Sequence, residues 1–199
     1  MSENKLEDFI NNFVDAAETC RDKRLINPTL VLIYSAIDIL GSLIKSEAKK
    51  DFELRKSQSG SKETFGIRHS FCFWVDRYME PEKYLDPECK SIDIYGARCG
   101  LLHELRLESN INHSHGAKII TYAWGIATVD DLRRSIAITD KDYIAIHVDT
   151  LIDVFKNGIT CFLNDTEMMA VASIKSKKFV AGLSTEIMRQ FLETQNDDQ

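Results

Sequence analysis

Apolar residues recur at helical spacing from the start of the chain. Leu6, Phe9, Ile10, Phe13, Ala16, Ala17 and Cys20 share one face, with Glu7, Asp8, Asp15 and Glu18 between them, which predicts an amphipathic first helix. Asn27-Pro28 reads as a cap followed by the proline tolerated in a first helical turn. The second helix behind it carries Leu30, Ile33, Tyr34, Ile37, Leu40, Gly41 and Ile44, an apolar surface wide enough for a central position, and a polar strip of Ser35, Asp38 and Ser42. The stretch Arg55 to Thr64 is polar and aperiodic and reads as a mobile loop. Phe71, Trp74, Val75 and Tyr78 mark a third helix ending near Pro81, and a fourth begins around Ser91 and runs to Leu107. Gly96, Ala97 and Gly100 lie among its apolar residues, so another backbone can approach closely there, from another helix or from a second subunit.

The pattern changes past Ser109. Ile119 to Trp124 and Tyr143 to Val148 are rich in β-branched and aromatic residues and predict two short paired strands, expected as a hairpin. Thr128 and Asp131 form a capping-box signature for a short helix between them, and Asp149 is placed to cap a helix bearing Leu151, Val154, Phe155 and Phe162. One more helix is expected from Ser184 to Leu192. The reading is a mainly α chain: a helical bundle over residues 1–110, and a β-hairpin with helices over 111–199 packed on the same domain.

Composition narrows the function. At 199 residues the chain suits one domain, and 25 basic against 31 acidic side chains give a net charge of −6, which argues against a blanket electrostatic hold on nucleic acid. The greasiest segment, Leu30 to Ile44, is interrupted by Ser35, Asp38 and Ser42, and Met-Ser-Glu-Asn-Lys lacks the order of a secretory signal, so no membrane association and a cytoplasmic location are expected. Five cysteines without C-x-x-C spacing predict reduced thiols rather than disulfides or a zinc site.

The segment Tyr95-Gly-Ala-Arg98-Cys-Gly-Leu-Leu-His103-Glu104 carries the candidate chemistry. An arginine costs several kcal/mol to bury unpaired, so Arg98 must face a carboxylate, a groove or an anion. On a regular α-helix His103 lies about 140° round and ~7.5 Å along from it, a scale that can flank one phosphodiester. Arginine binds phosphate oxygens bidentately and stays charged in the transition state, and histidine can take a proton from a ribose 2′-hydroxyl or deliver one to a leaving 5′-oxygen. That chemistry requires no metal and no cofactor.

Arg98-x-x-x-x-His103, with its context Tyr95-Gly-Ala-Arg-Cys-Gly-Leu-Leu-His, resembles the R-x4-6-H motif of HEPN domains, the higher eukaryotes and prokaryotes nucleotide-binding superfamily. The resemblance covers roughly Leu6 to Glu108. It implies an antiparallel helical bundle, here with a small two-stranded β addition and C-terminal helices, that dimerises through the motif helix at Gly96, Ala97 and Gly100. Two arginines and two histidines then converge in one cleft. It further implies a metal-independent endoribonuclease in a toxin–antitoxin, phage-defence or RNA-processing setting, with RNA as substrate and an antitoxin or other protein as partner. Arg98 and His103 are the catalytic candidates; Tyr95, Cys99, Glu104 and Asp38 support them. Cys99 stands where many active members carry a polar residue, and Leu105 where some toxin members carry a modifiable tyrosine.

Blander accounts compete. Arg98 can pair with Asp38 in a purely structural role, leaving a binding module for a nucleotide or a protein. His113 and His115 with His103 are a weak metal signal and read more simply as loop histidines. The stretch from Lys45 to Arg68 carries a local excess of +3 (seven basic, four acidic) that suits either RNA guidance or a solvated helix end.

Overall fold

The structure is a computed structural model that describes residues 3–104, 107, 109–137 and 142–177. It is mainly helical, with one two-stranded parallel sheet. The elements are α1 (Glu3–Asp22), α2 (Ile26–Leu43), α3 (Lys45–Ser59), α4 (Ile67–Tyr78), α5 (Pro81–Tyr84) and α6 (Ser91–Cys99), which runs into a π-helical turn at Gly100–Glu104. Then come α7 (Asn110–His115), β1 (Ile119–Ala123), α8 (Val129–Ile136), β2 (Tyr143–His147), α9 (Val148–Asn164) and α10 (residues 166–177). The expected helix over Ser184–Leu192, and Leu105, lie outside the described residues.

The second helix is central, as its wide apolar surface predicts. Ile33, Tyr34 and Ile37 are fully buried, and α2 packs on α1, α4 and α9. By length and composition alone α2 could also cross a membrane, and 44% of it is buried inside the protein. Gly41 is the point of closest approach to α4. A Cβ there would stand 2.7 Å from the Ser70 carbonyl oxygen, so only glycine lets the two backbones meet. Trp74 of α4 is sealed on its other side by α9, with ring centroids 6.3 Å from both Phe155 and Phe162, so residues beyond 110 complete the same core.

Several expectations are corrected. Residues 55–59 belong to α3, and the loop begins only at Gly60, whose left-handed backbone (φ 67°) ends the helix. Among α3 residues only Ala48 is buried; the helix is laced instead by Lys50–Glu47 and Arg55–Asp51 pairs, so apolar periodicity could not reveal it. The strands do not form a hairpin. They pair in parallel, Ile119 opposite Tyr143 through Ala123 opposite His147, because residues 124–142, with α8 among them, are long enough for a crossover. α2 starts one residue before Asn27, behind Leu25, and no side chain caps it. His147, not Asp149, caps α9: its Nδ1 accepts from the Asp149 N–H at 3.2 Å. The Thr128–Asp131 capping box is present, each residue accepting the other's N–H at 3.1 Å.

Two buried polar contacts fix the motif helix in the fold. Asp93, 2% exposed, accepts from the Lys90 N–H at 2.8 Å and the Lys118 N–H at 2.6 Å, tying the start of α6 to the entry of β1. Burial pushes its carboxyl up, and those two N–H groups offset part of the rise. The Tyr34 and Tyr122 hydroxyls hydrogen-bond to each other between α2 and β1, and burial raises both phenols.

Candidate functional site

Asp38 on α2 and Arg98 on α6 face each other where the two helices meet. Arg98 Nη2 lies 2.5 Å and Nε 2.6 Å from the same carboxylate oxygen, Oδ2. Both side chains are largely enclosed, 14% and 19% exposed. The other oxygen, Asp38 Oδ1, is buried with no hydrogen-bond partner among the described residues. Burial is the main influence on Asp38 and pushes its carboxyl above the usual range, against the hydrogen bond and charge of Arg98. For Arg98 burial works against the cation, and the Asp38 carboxylate outweighs it, so the guanidinium stays charged.

The third nitrogen reaches the histidine. Arg98 Nη1 stands 2.6 Å from His103 Nε2 and 3.8 Å from Cys99 Sγ. Arginine only donates, so Nε2 accepts and the imidazole proton sits on Nδ1. This contact corrects the sequence expectation of a 140° separation. The turn Gly100–Glu104 is π-helical, and its i to i+5 hydrogen bonding carries residues five apart onto one face, His103 beside Arg98. His103 is exposed, so the assembly runs from enclosed Asp38 through Arg98 to an imidazole open to solvent.

Tyr95 backs the arginine, its ring centroid 5.8 Å from the guanidinium carbon and its edge packed on Phe71 at 5.3 Å. Burial pushes its phenol up to about 12, with Cys99 adding to the rise. The Glu104 side chain lies outside the described residues. Gly96, Ala97 and Gly100 are all buried in the protomer. A Cβ on Gly96 would stand 3.4 Å from both the Ala117 Cβ and Asn112 Nδ2, so the close approach it permits is to the segment around α7 and β1 of its own chain.

His113 and His115 are exposed on α7, and His115 Nδ1 is 2.6 Å from its neighbour Ser114 Oγ. Among the described residues no cluster of three His, Cys, Asp or Glu side chains could hold a metal ion. Three of the seven basic residues in the stretch from Lys45 to Arg68 pair with acids inside it: Lys50 with Glu47, Arg55 with Asp51, and Arg68 with Glu63. Comparison with family models, curated proteins and solved structures finds no match to this chain.

Proposed function

We propose that this chain is a HEPN-type endoribonuclease that cuts RNA without a metal, in a toxin or phage-defence setting, with its site completed by a second copy. The observation that carries the reading is the 2.6 Å contact between Arg98 and His103, made by a π-helical turn and anchored from behind by Asp38. A single-turn π insertion is rare and recurs at functional sites. An arginine and a solvent-facing histidine held side by side are the two groups that phosphodiester cleavage needs.

A phosphate arriving at Arg98 competes with His103 for Nη1, and the substrate thereby frees Nε2. His103 then takes the proton of the ribose 2′-hydroxyl, the 2′-oxygen attacks phosphorus, and Arg98 holds the charge gathering on the phosphate oxygens. The bond to the 5′-oxygen breaks as that oxygen takes a proton from the histidine of the second copy. The products are a 2′,3′-cyclic phosphate and a 5′-hydroxyl. Asp38 is a positioning residue that aims the guanidinium.

A second reading has a specific observation in its favour. Every nitrogen of Arg98 is already engaged within the chain, by Asp38, His103 and Cys99, which suits a structural knot in a nucleotide- or protein-binding module. Incubating the purified chain with an RNA oligonucleotide decides between them. The enzyme reading expects cleavage that resists EDTA, a cyclic phosphate end and no cut where the ribose is 2′-deoxy. RNA that is bound and never cut establishes the binding module instead.

A further inference from the structure

On the face of the motif helix carrying Ala97 and Leu101 lies a cleft of about 600 Å³, open to solvent. Its floor and walls are Leu30, Ala97, Leu101, Ile120, Leu132 and the indole of Trp124. Ala97 and Ile120 are core residues, whereas Trp124 is 48% exposed, a large aromatic surface that the fold leaves uncovered. Both the size and the apolar lining fall in the range of small-molecule sites.

Among the described residues the polar groups lining this cleft are few, and its one charged side chain is a cation. Arg24 lines its mouth, with Asn27 beside it and Thr121 within. Among the described residues no carboxylate lines it, although the chain carries 31 acidic residues. The other arginines among the described residues are matched with acids: Arg21, Arg55, Arg68, Arg77, Arg98, Arg133 and Arg134 all form ion pairs. Among the described residues Arg24 has no ion-pair partner and makes no side-chain hydrogen bond. It also sits in the left-handed backbone region (φ 59°), where glycine would be cheaper. The mouth adjoins the start of α2, whose first turn has no acidic residue to offset the positive end of the helix dipole.

We infer that this cleft binds a small aromatic carboxylate, with the ring on Trp124 and Leu101 and the carboxylate at Arg24. The charge argument selects an anion, the half-exposed indole selects a ring over an alkyl chain, and a lining whose other polar side chains are Asn27, Thr121 and Tyr122, with the Tyr122 hydroxyl already bonded to Tyr34, argues against a heavily hydroxylated ligand. This binding goes beyond the RNA chemistry above and does not depend on it.

The test is calorimetric titration of the full chain with 1-naphthylacetate and with its neutral isostere, 1-naphthylacetamide. The acid is expected to bind saturably at one site, and the amide about tenfold more weakly, the worth of one charge-assisted contact at an open mouth. Arg24→Gly removes the guanidinium while suiting the backbone at φ 59°, so the fold is retained, and it should abolish the preference for the acid. Trp124→Ala, at a half-exposed position, should weaken both ligands. Amide chemical-shift changes on binding should centre on Ala97, Leu101 and Thr121. No saturable binding at millimolar ligand, equal binding of acid and amide, an acid preference that survives Arg24→Gly, or shifts confined to another face each overturn the proposal.

Discussion

Two arginine–aspartate pairs in this protein make an instructive contrast. Asp165, at the end of α9, uses both of its oxygens: Oδ2 accepts from Arg77 Nη2 at 2.9 Å and from the Tyr78 hydroxyl at 3.0 Å, and Oδ1 accepts from the Met168 N–H at 3.2 Å. The slight burial of this carboxyl is outweighed by those donors, which hold it below the usual range. Asp38 is enclosed to the same degree but faces a more buried arginine, 14% exposed against 44% for Arg77. It gives Oδ2 twice to Arg98, as Asp165 does to Arg77, but leaves Oδ1 without a partner among the described residues, and burial pushes it up. The first pair closes a helix end and engages both carboxylate oxygens. The second keeps an unsatisfied buried oxygen and extends through Arg98 to an exposed histidine. Incomplete satisfaction is costly, so it persists where something besides stability holds the arrangement.

The largest effect that could break the contrast is on cleavage. Arg98→Ala and His103→Ala are each expected to lower RNA cleavage by about 10²–10⁴-fold, whereas Arg77→Ala leaves it unchanged. A gel assay on one oligonucleotide substrate compares the three, and equal losses would remove the distinction between the pairs.

Stability comes next. Asp38→Ala strands a largely enclosed guanidinium and should cost about 2–3 kcal/mol, the lower end of what breaking a buried pair costs because some solvent reaches it. Asp165→Ala removes a cap and a pair whose arginine is 44% exposed, and should cost about 1 kcal/mol. Urea midpoints at neutral pH measure both, and a larger loss at Asp165 would reverse the order.

A finer separation lies in acid. Asp165 has a depressed folded value, so its contribution is present above the ordinary aspartate value of about 3.9 and is lost as pH falls through the lower folded one. Asp165→Asn should therefore flatten the decline of stability in that window. Asp38 is raised, so its ionisation opposes folding as pH rises through its folded value, and Asp38→Asn should change the profile in the opposite sense. Denaturant unfolding between pH 2 and 6, a span of about two units either side of that ordinary value, reads the two signs. The smallest effect is expected at Cys99. Its thiol stands 3.8 Å from Arg98 Nη1, a weak contact, so Cys99→Ser should alter cleavage by less than about threefold.

Much of this was legible in the linear pattern. The apolar faces of α1, α2 and α4 and the Thr128–Asp131 box came from periodicity and local capping chemistry, and these are interactions between residues a few positions apart. The extent of α3 was hidden because that helix buries almost nothing and relies on charge pairs. The caps of α2 and α9 were each misplaced, because several polar residues stood within reach and only the local backbone path chooses among them.

At the site the division has the same physical origin. Chain chemistry alone required Arg98 to meet a carboxylate, a groove or an anion, and named Asp38 among the candidates, because desolvating a guanidinium is prohibitive whatever the fold. Which of those options was realised depended on α2 and α6 meeting side by side, a contact across sixty residues that periodicity does not encode. The same holds for Gly96, Ala97 and Gly100. Their smallness announced a close approach, but whether the neighbour was a second chain or this one rested on where α7 and β1 came to lie. The change from α- to π-helical hydrogen bonding after Cys99 likewise shows in the folded chain, where it turns His103 from the far side of the helix to the arginine.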